Sequence, residues 1–310
     1  MDLSIVIVNW NTRDLLRGCL TSVYIGLGAL KAEVLVVDNA SSDGSCDMVQ
    51  SEFPAVRLIK SDENLGFAGG NNVALKQAVG RIVMLLNTDT VVHGTVLEDA
   101  VRWLDAHPAV GVMGPRLLNT DGSVQPSCSA FPSLRHLAMQ TLGLTRFSKM
   151  DAYRMTGWDR TSERQVDVIS GAAMFVRADA MQDVGLLDEA FFFYGEETDW
   201  CRRFAQAGWE LVFAPIPEIT HFGNGSAGKL NHRRDVLMTE GTTRLHLKHG
   251  GLLAGLACFA ILAAHNASRA VFWTLLGAVH RPGAKARAKH FAKVTCDLPK
   301  AWPSSQAAKA

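Results

Sequence analysis

The feature that most constrains this chain is a strand-like apolar run that recurs: Leu3 to Val8, Glu33 to Val37 and Ile82 to Leu86. Runs without polar alternation read as strands covered on both faces, the pattern of a parallel sheet. Each run ends in a polar tip: Asn9-Trp10-Asn11-Thr12, then Asp38 through Ser45, then Asn87-Thr88-Asp89. Arg13 to Gly26 follows the first tip with Leu15, Leu16, Cys19, Leu20 and Val23 at helical spacing, and Asn11 or Thr12 as its cap. Strand, polar tip and helix repeat, so the expected fold is α/β, with ligands at the carboxyl ends of the strands.

Further segments extend this pattern. Val56 to Lys60 and Val110 to Gly114 read as strands, and Thr95 to Ala106 as an amphipathic helix stopped by His107-Pro108. Asn64 through Asn72 carries Gly66, Gly69 and Gly70 and leads into a helix expected over residues 73–79. Such a loop lets backbone N–H groups approach a phosphate or a sugar hydroxyl. It is neither a Walker loop nor G-x-G-x-x-G, which disfavours a P-loop NTPase and a dinucleotide-dependent epimerase or dehydrogenase. Asn119 to Ser123 reads as a hairpin turn, and 126–159 as a long, partly helical insertion. Residues 166–170 and 172–176 flank Gly171 as a bent strand pair, followed by a helix over 177–184 and a strand over 209–214.

Several side chains stand out chemically. Asp89 at a strand tip can cap the next turn or hold a divalent cation. Asp38 can accept hydrogen bonds from a base or ribose. Phe191-Phe192-Phe193-Tyr194 precedes Glu196-Glu197-Thr198-Asp199 at a helix start, with Arg202 and Arg203 one turn on. That order complements a helix macrodipole, and it also sets a carboxylate beside aromatic surface, where burial raises its pKa toward the range of a general base. His221 ends a strand-like run and opens the loop Phe222 to Ser226.

These pieces together resemble the family 2 inverting glycosyltransferases of GT-A fold, and within them the bacterial cell-wall and O-antigen rhamnosyltransferases. The resemblance rests on Ser4 to Asn11, Val36 to Gly44, Asn64 to Asn72, Leu86 to Thr90, Gly114 to Leu117, Ser170 to Ala172 and Phe192 to Arg203, and spans about Leu3 to Gly250. It implies a Rossmann-like, mixed, mainly parallel sheet with flanking helices. It implies a nucleotide-diphosphate sugar donor, dTDP-rhamnose or a UDP-sugar carrying galactofuranose, glucose or N-acetylglucosamine. It implies a glycan or polyprenyl-diphosphate-linked acceptor in surface polysaccharide synthesis, and Mg²⁺ or Mn²⁺. By the same resemblance Asp38 binds the nucleoside, and Asn9, Asn64, Gly66, Gly70, Asn71 and Asn87 line the donor site. Asp89 is the last acid of the D-x-D motif and a metal ligand, and His221 serves the metal or diphosphate. Glu197 stands at the catalytic base, usually Asp, and Asp199 is a nearby acid that organises the acceptor. Asn87 replaces the first acid of D-x-D, which leaves fewer charges on the metal. A non-catalytic scaffold subunit is the alternative from another class, and the intact Asp89, Glu197 and His221 argue against it.

Charge divides the chain. From Lys229 onward there are 13 Lys and Arg against 3 Asp and Glu, whereas the preceding residues hold 18 against 27. Gly250 to Ser268 has no charge, and Ala270 to Val279 is again apolar. The expected organisation is a glycosyltransferase domain over 1–228 (donor half to about 115, acceptor half after it). A basic, apolar helical extension over 229–310 is expected to form one or two helices on the inner face of the cell membrane, the alternatives being a helix packed on the protein or a dimer contact. No nucleic-acid motif accompanies the basic tail. The first residues show no basic, then apolar, leader pattern, and Cys19, Cys46, Cys128, Cys201, Cys258 and Cys296 contain no C-x-x-C pair. Both features fit a reducing cytoplasm and disfavour a zinc or redox site.

Overall fold

The structure is a computed structural model and describes residues 1–144, 153, 155, 157–216, 218–223 and 230–303. In chain order its elements begin with β1 (Leu3–Asn9), α1 (Arg13–Gly26), β2 (Ala32–Asn39), α2 (Ser45–Glu52), β3 (Arg57–Ser61), α3 (Gly66–Leu75), β4 (Ile82–Asn87), β5 (Thr90–Val92) and α4 (Val96–Ala106). Next come β6 (Val110–Gly114), β7 (Leu117–Leu118), β8 (Val124–Gln125), β9 (Cys128–Ser129), α5 (Leu134–Thr141), β10 (Arg164–Gln165), β11 (Val168–Ile169), β12 (Ala173–Arg177) and α6 (Ala178–Val184). The last are α7 (Glu196–Gln206), β13 (Glu210–Phe213), β14 (Ile219–His221), α8 (His232–Ala278), α9 (Ala284–Asp297) and a 3₁₀ turn, Leu298–Ala301.

The chain divides into two units. The first comprises Met1–Phe131, Arg154–Asp188 and Glu196–Asn224. Its main sheet has eight strands in the order β10-β13-β6-β12-β4-β1-β2-β3. β4, β1, β2 and β3 run parallel, as do β6 and β13. β12 runs antiparallel to both β4 and β6. The mixed, mainly parallel sheet is the architecture expected.

Both faces of this sheet are covered, which explains the missing polar alternation. Leu3, Ile5 and Ile7 join Leu16, Leu20, Leu97 and Leu104 of α1 and α4 in one core. Val6, Leu35 and Val37 face the other way and join Ala68, Trp200 and Phe204 of α3 and α7. A fully buried side chain of this size contributes roughly 1.5–3 kcal/mol of transfer free energy.

Three local expectations are corrected. The expected caps Asn11 and Thr12 make no side-chain bond to the start of α1; Asp43 instead accepts from the Arg13 N–H at 2.8 Å. The third helix begins at Gly66 and ends at Leu75, so Gly69 and Gly70 lie inside it. A Cβ on Gly70 would sit 2.8 Å from Val8 and 3.0 Å from Asn39, so close packing on β1 and β2 outweighs the poor helix propensity of glycine. In the tail, the stretches Gly250 to Ser268 and Ala270 to Val279 run on as one element, and the polar cluster His265 to Ser268 is no boundary between them. It lies within α8, whose break falls at Gly251 (φ +77°).

The second unit comprises Pro132–Tyr153, Glu189–Gly195 and Gly225–Ala310. In it α9 packs along α8, and α5 also contacts α8. The aromatic loop buries Phe191 and exposes Phe192 and Phe193. The expected boundary at 228, the loop at Asn224 to Ser226, and much of the insertion between 145 and 156 lie outside the described residues. All six cysteines are unbridged.

Candidate active site

Parallel register aligns the strand tips. Asn9 on β1 is opposite Asp38 on β2, and Val8 is opposite Asn87 on β4. Asn9 Nδ2 donates to Asp38 Oδ1 at 2.8 Å and to Ser41 Oγ at 3.0 Å. The Ser41 N–H donates to Asp38 Oδ2 at 2.9 Å. The Thr12 hydroxyl donates to Asn9 Oδ1 at 2.7 Å and lies within hydrogen-bond reach of Thr88 Oγ1 at 3.0 Å. Asp38 is therefore buried and held by both oxygens, which fixes the shelf around it.

Backbone strain gathers at this edge. Asn11 (φ +53°) and Ala40 (φ +60°) are non-glycine residues in left-handed backbone at adjacent tips. For alanine that conformation costs roughly 1–2 kcal/mol. Trp10, next to Asn11, is half exposed.

Asn64 Oδ1 accepts from the Gly66 N–H at 2.9 Å, and Gly66 has φ +73°. Asn39 Nδ2 donates to the Gly66 carbonyl at 2.9 Å. Asn71 is buried, and its Nδ2 donates to the Phe67 carbonyl. Asn64, Gly66, Gly70 and Asn71 thus shape the loop and the helix start beside the shelf.

A second cluster is made by non-local strand pairing. β5 pairs antiparallel with β14, placing His221 opposite Thr90. The Phe222 N–H donates to the Asp89 carbonyl at 2.8 Å. His221 Nε2 then lies 3.2 Å from Asp89 Oδ1, both side chains partly exposed. The other ring nitrogen, Nδ1, is 2.6 Å from Gln125 Oε1. Gln125 Nε2 donates to Asn119 Oδ1 at 2.9 Å, which sets the amide with its oxygen toward the ring. Nδ1 is thereby the donor to Gln125, which leaves Nε2, beside Asp89, as the ring nitrogen that would serve a cation.

Among the described residues no group of three or more His, Cys, Asp or Glu converges as a metal cage. One carboxylate and one imidazole fit a cation whose other ligands are substrate phosphate oxygens and water. A nitrogen donor in that set suits Mn²⁺ better than Mg²⁺.

The third group comes from α7. Gly171 lies between β11 and β12, and a Cβ there would meet Phe67 at 3.0 Å and the Glu197 Cβ at 3.8 Å. The neighbouring Ala172 carbonyl accepts from the Asn87 N–H at 3.0 Å. Glu197 and Phe67 of α3 thereby both flank Gly171, next to the tip of β4. Asp199 has a different setting. It is fully buried and accepts from Arg203 Nε at 2.9 Å, while Arg203 holds the Val184 and Leu186 carbonyls. Its geometry is that of a positioning residue under α7.

Glu196 was not singled out by the sequence. It is buried, its Oε2 has no hydrogen-bond partner among the described residues, and burial, then the charge of Glu197, pushes its carboxyl well above the ordinary range. The signal was available: Trp200 and Phe204 stand four and eight residues on, so Glu196 shares their inward face. A carboxyl whose folded pKa is raised contributes stability below its unfolded pKa, and that contribution is lost as pH rises toward the folded value. The Tm of Glu196→Gln should therefore gain on wild type as pH rises above the ordinary carboxylate range of about pH 4, each kcal/mol being worth about 2–4 °C in a chain this size. Melting curves at rising pH check it, and a Tm difference that does not move with pH would contradict it.

Similarity to known proteins identifies the family and the fold. The sequence profile of glycosyl transferase family 2 matches residues 4–175, and the chain belongs to that family. It is 34% identical over 215 residues to an N-acetylglucosaminyl-diphospho-decaprenol L-rhamnosyltransferase of Mycobacterium tuberculosis, covering 63% of this chain and 68% of that protein. It is 26% identical over 226 residues to a low-salt glycan biosynthesis hexosyltransferase of Haloferax volcanii, covering 71% and 67%. A mannosyltransferase of Pyrobaculum calidifontis, solved with GDP-Man and Mn²⁺, superposes with a TM-score of 0.57 at 17% identity over 96% of this chain and 86% of that one. GalNAc-T7, solved with UDP, GalNAc and Mn²⁺, gives 0.56 at 14% identity over 86% and 54%. The fold is that of GT-A glycosyltransferases, and the chain is a glycosyltransferase.

Proposed function

We propose that this glycosyltransferase is inverting and metal-dependent, and that it moves rhamnose from dTDP-rhamnose to a polyprenyl-diphosphate-linked glycan at the inner face of the cell membrane. The observation that carries the chemistry is the pairing of Asp89 with His221 beside the strand-tip shelf, with Glu197 flanking Gly171 next to the tip of β4. The sugar and the acceptor are supported by the mycobacterial relative's name. The first unit is read as the transferase domain, with the donor side formed by residues to about 115 and the acceptor side by those after it.

On this reading Asp38 and Asn9 hold the nucleoside, and Asn64, Gly66, Gly70, Asn71 and Asn87 shape the donor pocket. Asp89 and His221 bind the cation, whose charge would stabilise the leaving nucleoside diphosphate. Glu197 accepts the proton of the acceptor hydroxyl as it attacks the anomeric carbon from the face opposite the leaving group. One displacement of this kind inverts the anomeric centre. Asp199 fixes α7 through Arg203 so that Glu197 keeps its place.

The test is donor binding and hydrolysis with dTDP-rhamnose, UDP-galactofuranose, UDP-glucose and UDP-N-acetylglucosamine, with and without Mn²⁺ or Mg²⁺. Metal-dependent turnover that prefers dTDP-rhamnose is the expected result. Preference for a UDP-sugar would overturn the choice of donor. Folded protein that binds none of them would overturn the catalytic reading in favour of a scaffold subunit.

A further inference from the structure

We propose that the second unit docks on an anionic lipid bilayer through the outer face of α8 beyond Gly251, lying in the plane of the membrane. This deepens the location read above and rests on that reading only for the acceptor; the docking surface stands on its own residues. From Leu252 to Ala278 the helix is about 40 Å long at 1.5 Å per residue. Its exposed positions recur at three- and four-residue steps: Leu252, Leu256, Ala260, Ala264, Ala267, Val271 and Leu275, flanked by Leu253 and Phe272, with Val279 just beyond the helix end. Leu253 is 82% exposed and Leu275 66%. Between Gly250 and Val279 only Arg269 carries a charge. Exposed apolar surface this continuous marks an interaction site in a stable protein.

The opposite face of the helix is already used. Gly255, Cys258 and Asn266 are buried, Phe259 meets Trp302 edge-on at 5.4 Å, and Trp273 lies under Arg287 at 4.6 Å. α8 is long and apolar enough to cross a membrane. However, α9 packs along it and exposes Lys285, Arg287, Lys289 and Lys293. A spanning α8 would draw these charges toward hydrocarbon, at about 2.5–3.5 kcal/mol for each Lys or Arg at the centre. An in-plane helix leaves them at the headgroups.

Charge selects the occupant. Arg281, Lys285, Arg287, Lys289 and Lys293 follow the apolar face with no acid before Asp297. At the turn between the helices, His280, Arg281 and Lys285 line a cleft of about 400 Å³, so the basic and apolar surfaces are continuous. A second copy of the chain would bring another basic helix against this one, whereas lipid phosphates oppose it with the complementary sign.

The test is co-sedimentation of the full chain with phosphatidylcholine vesicles and with vesicles containing phosphatidylglycerol, at low and high salt. Wild type is expected to sediment with the anionic vesicles, less so at high salt. L253E/L275E should lose at least tenfold in affinity, and K285E/K289E about fivefold or more per lysine, with its preference for anionic vesicles abolished. Both variants should hydrolyse donor as wild type does, so a failed donor assay and a failed vesicle assay remain separate results. Three outcomes would overturn the proposal: wild type left in the supernatant, L253E/L275E binding like wild type, or a wild-type dimer that L253E/L275E dissociates without any vesicle binding.

Discussion

Glu197→Gln is expected to lower sugar transfer by about 10²–10⁴-fold, the range a positioned general base supplies, while donor affinity stays within about twofold of wild type. Glutamine keeps the size and reach of glutamate and loses only the capacity to take a proton. The part of Glu197 nearest Gly171 is its Cβ, which does not change. The loss should therefore appear in kcat with acceptor present and leave donor binding intact. Acceptor-dependent turnover together with donor titration measures both quantities. Near-normal turnover would remove Glu197 from the chemistry. A parallel collapse of donor affinity would mean that it serves the donor pocket instead.

The second large effect is expected at the cation pair. Asp89→Ala removes the only carboxylate assigned to the metal and leaves His221 alone, held by Gln125 at 2.6 Å. A single imidazole cannot bind Mn²⁺ tightly, and the leaving diphosphate loses its stabilising charge, a loss of about 10²–10³-fold or more. Gln125→Leu should act in the same direction more weakly, at about 10–100-fold in metal affinity, because it frees the ring without removing a ligand. Mn²⁺ titration with metal-dependent donor hydrolysis separates the two variants. An Asp89→Ala enzyme still stimulated by Mn²⁺ to wild-type levels would move the cation elsewhere.

The parts of this molecule differ in how plainly the chain announces them. β1, β2 and β4 were legible because both sheet faces are covered, which demands unbroken apolar runs. Asp38 followed, since a strand end is where an α/β sheet binds, whereas Asn9 and Asn87 took their donor role from the family resemblance. α3 was displaced by several residues because Gly66, Gly69, Gly70, Asn71 and Asn72 have loop propensities, and only their close fit against Val8 and Asn39 makes them helical. β5 and β14 have three residues each and owe their existence to each other. A pairing across that separation leaves no periodic trace, so the nearness of Asp89 and His221 came from resemblance and not from pattern. Glu196 was hidden among three acids, although the spacing of Trp200 and Phe204 marked its inward face.

The union of β5 with β14 also orders events in time. As the chain leaves the ribosome, Asn9, Asp38, Asn87 and Asp89 emerge early, and His221 only after β12 has turned back between β4 and β6. Joining contacts so distant carries a loop-closure cost that local β-α-β steps avoid. On the proposed assignment, the residues of the nucleotide shelf are made well before the second cation ligand, so the cation site is the last part of the donor machinery that the chain can complete.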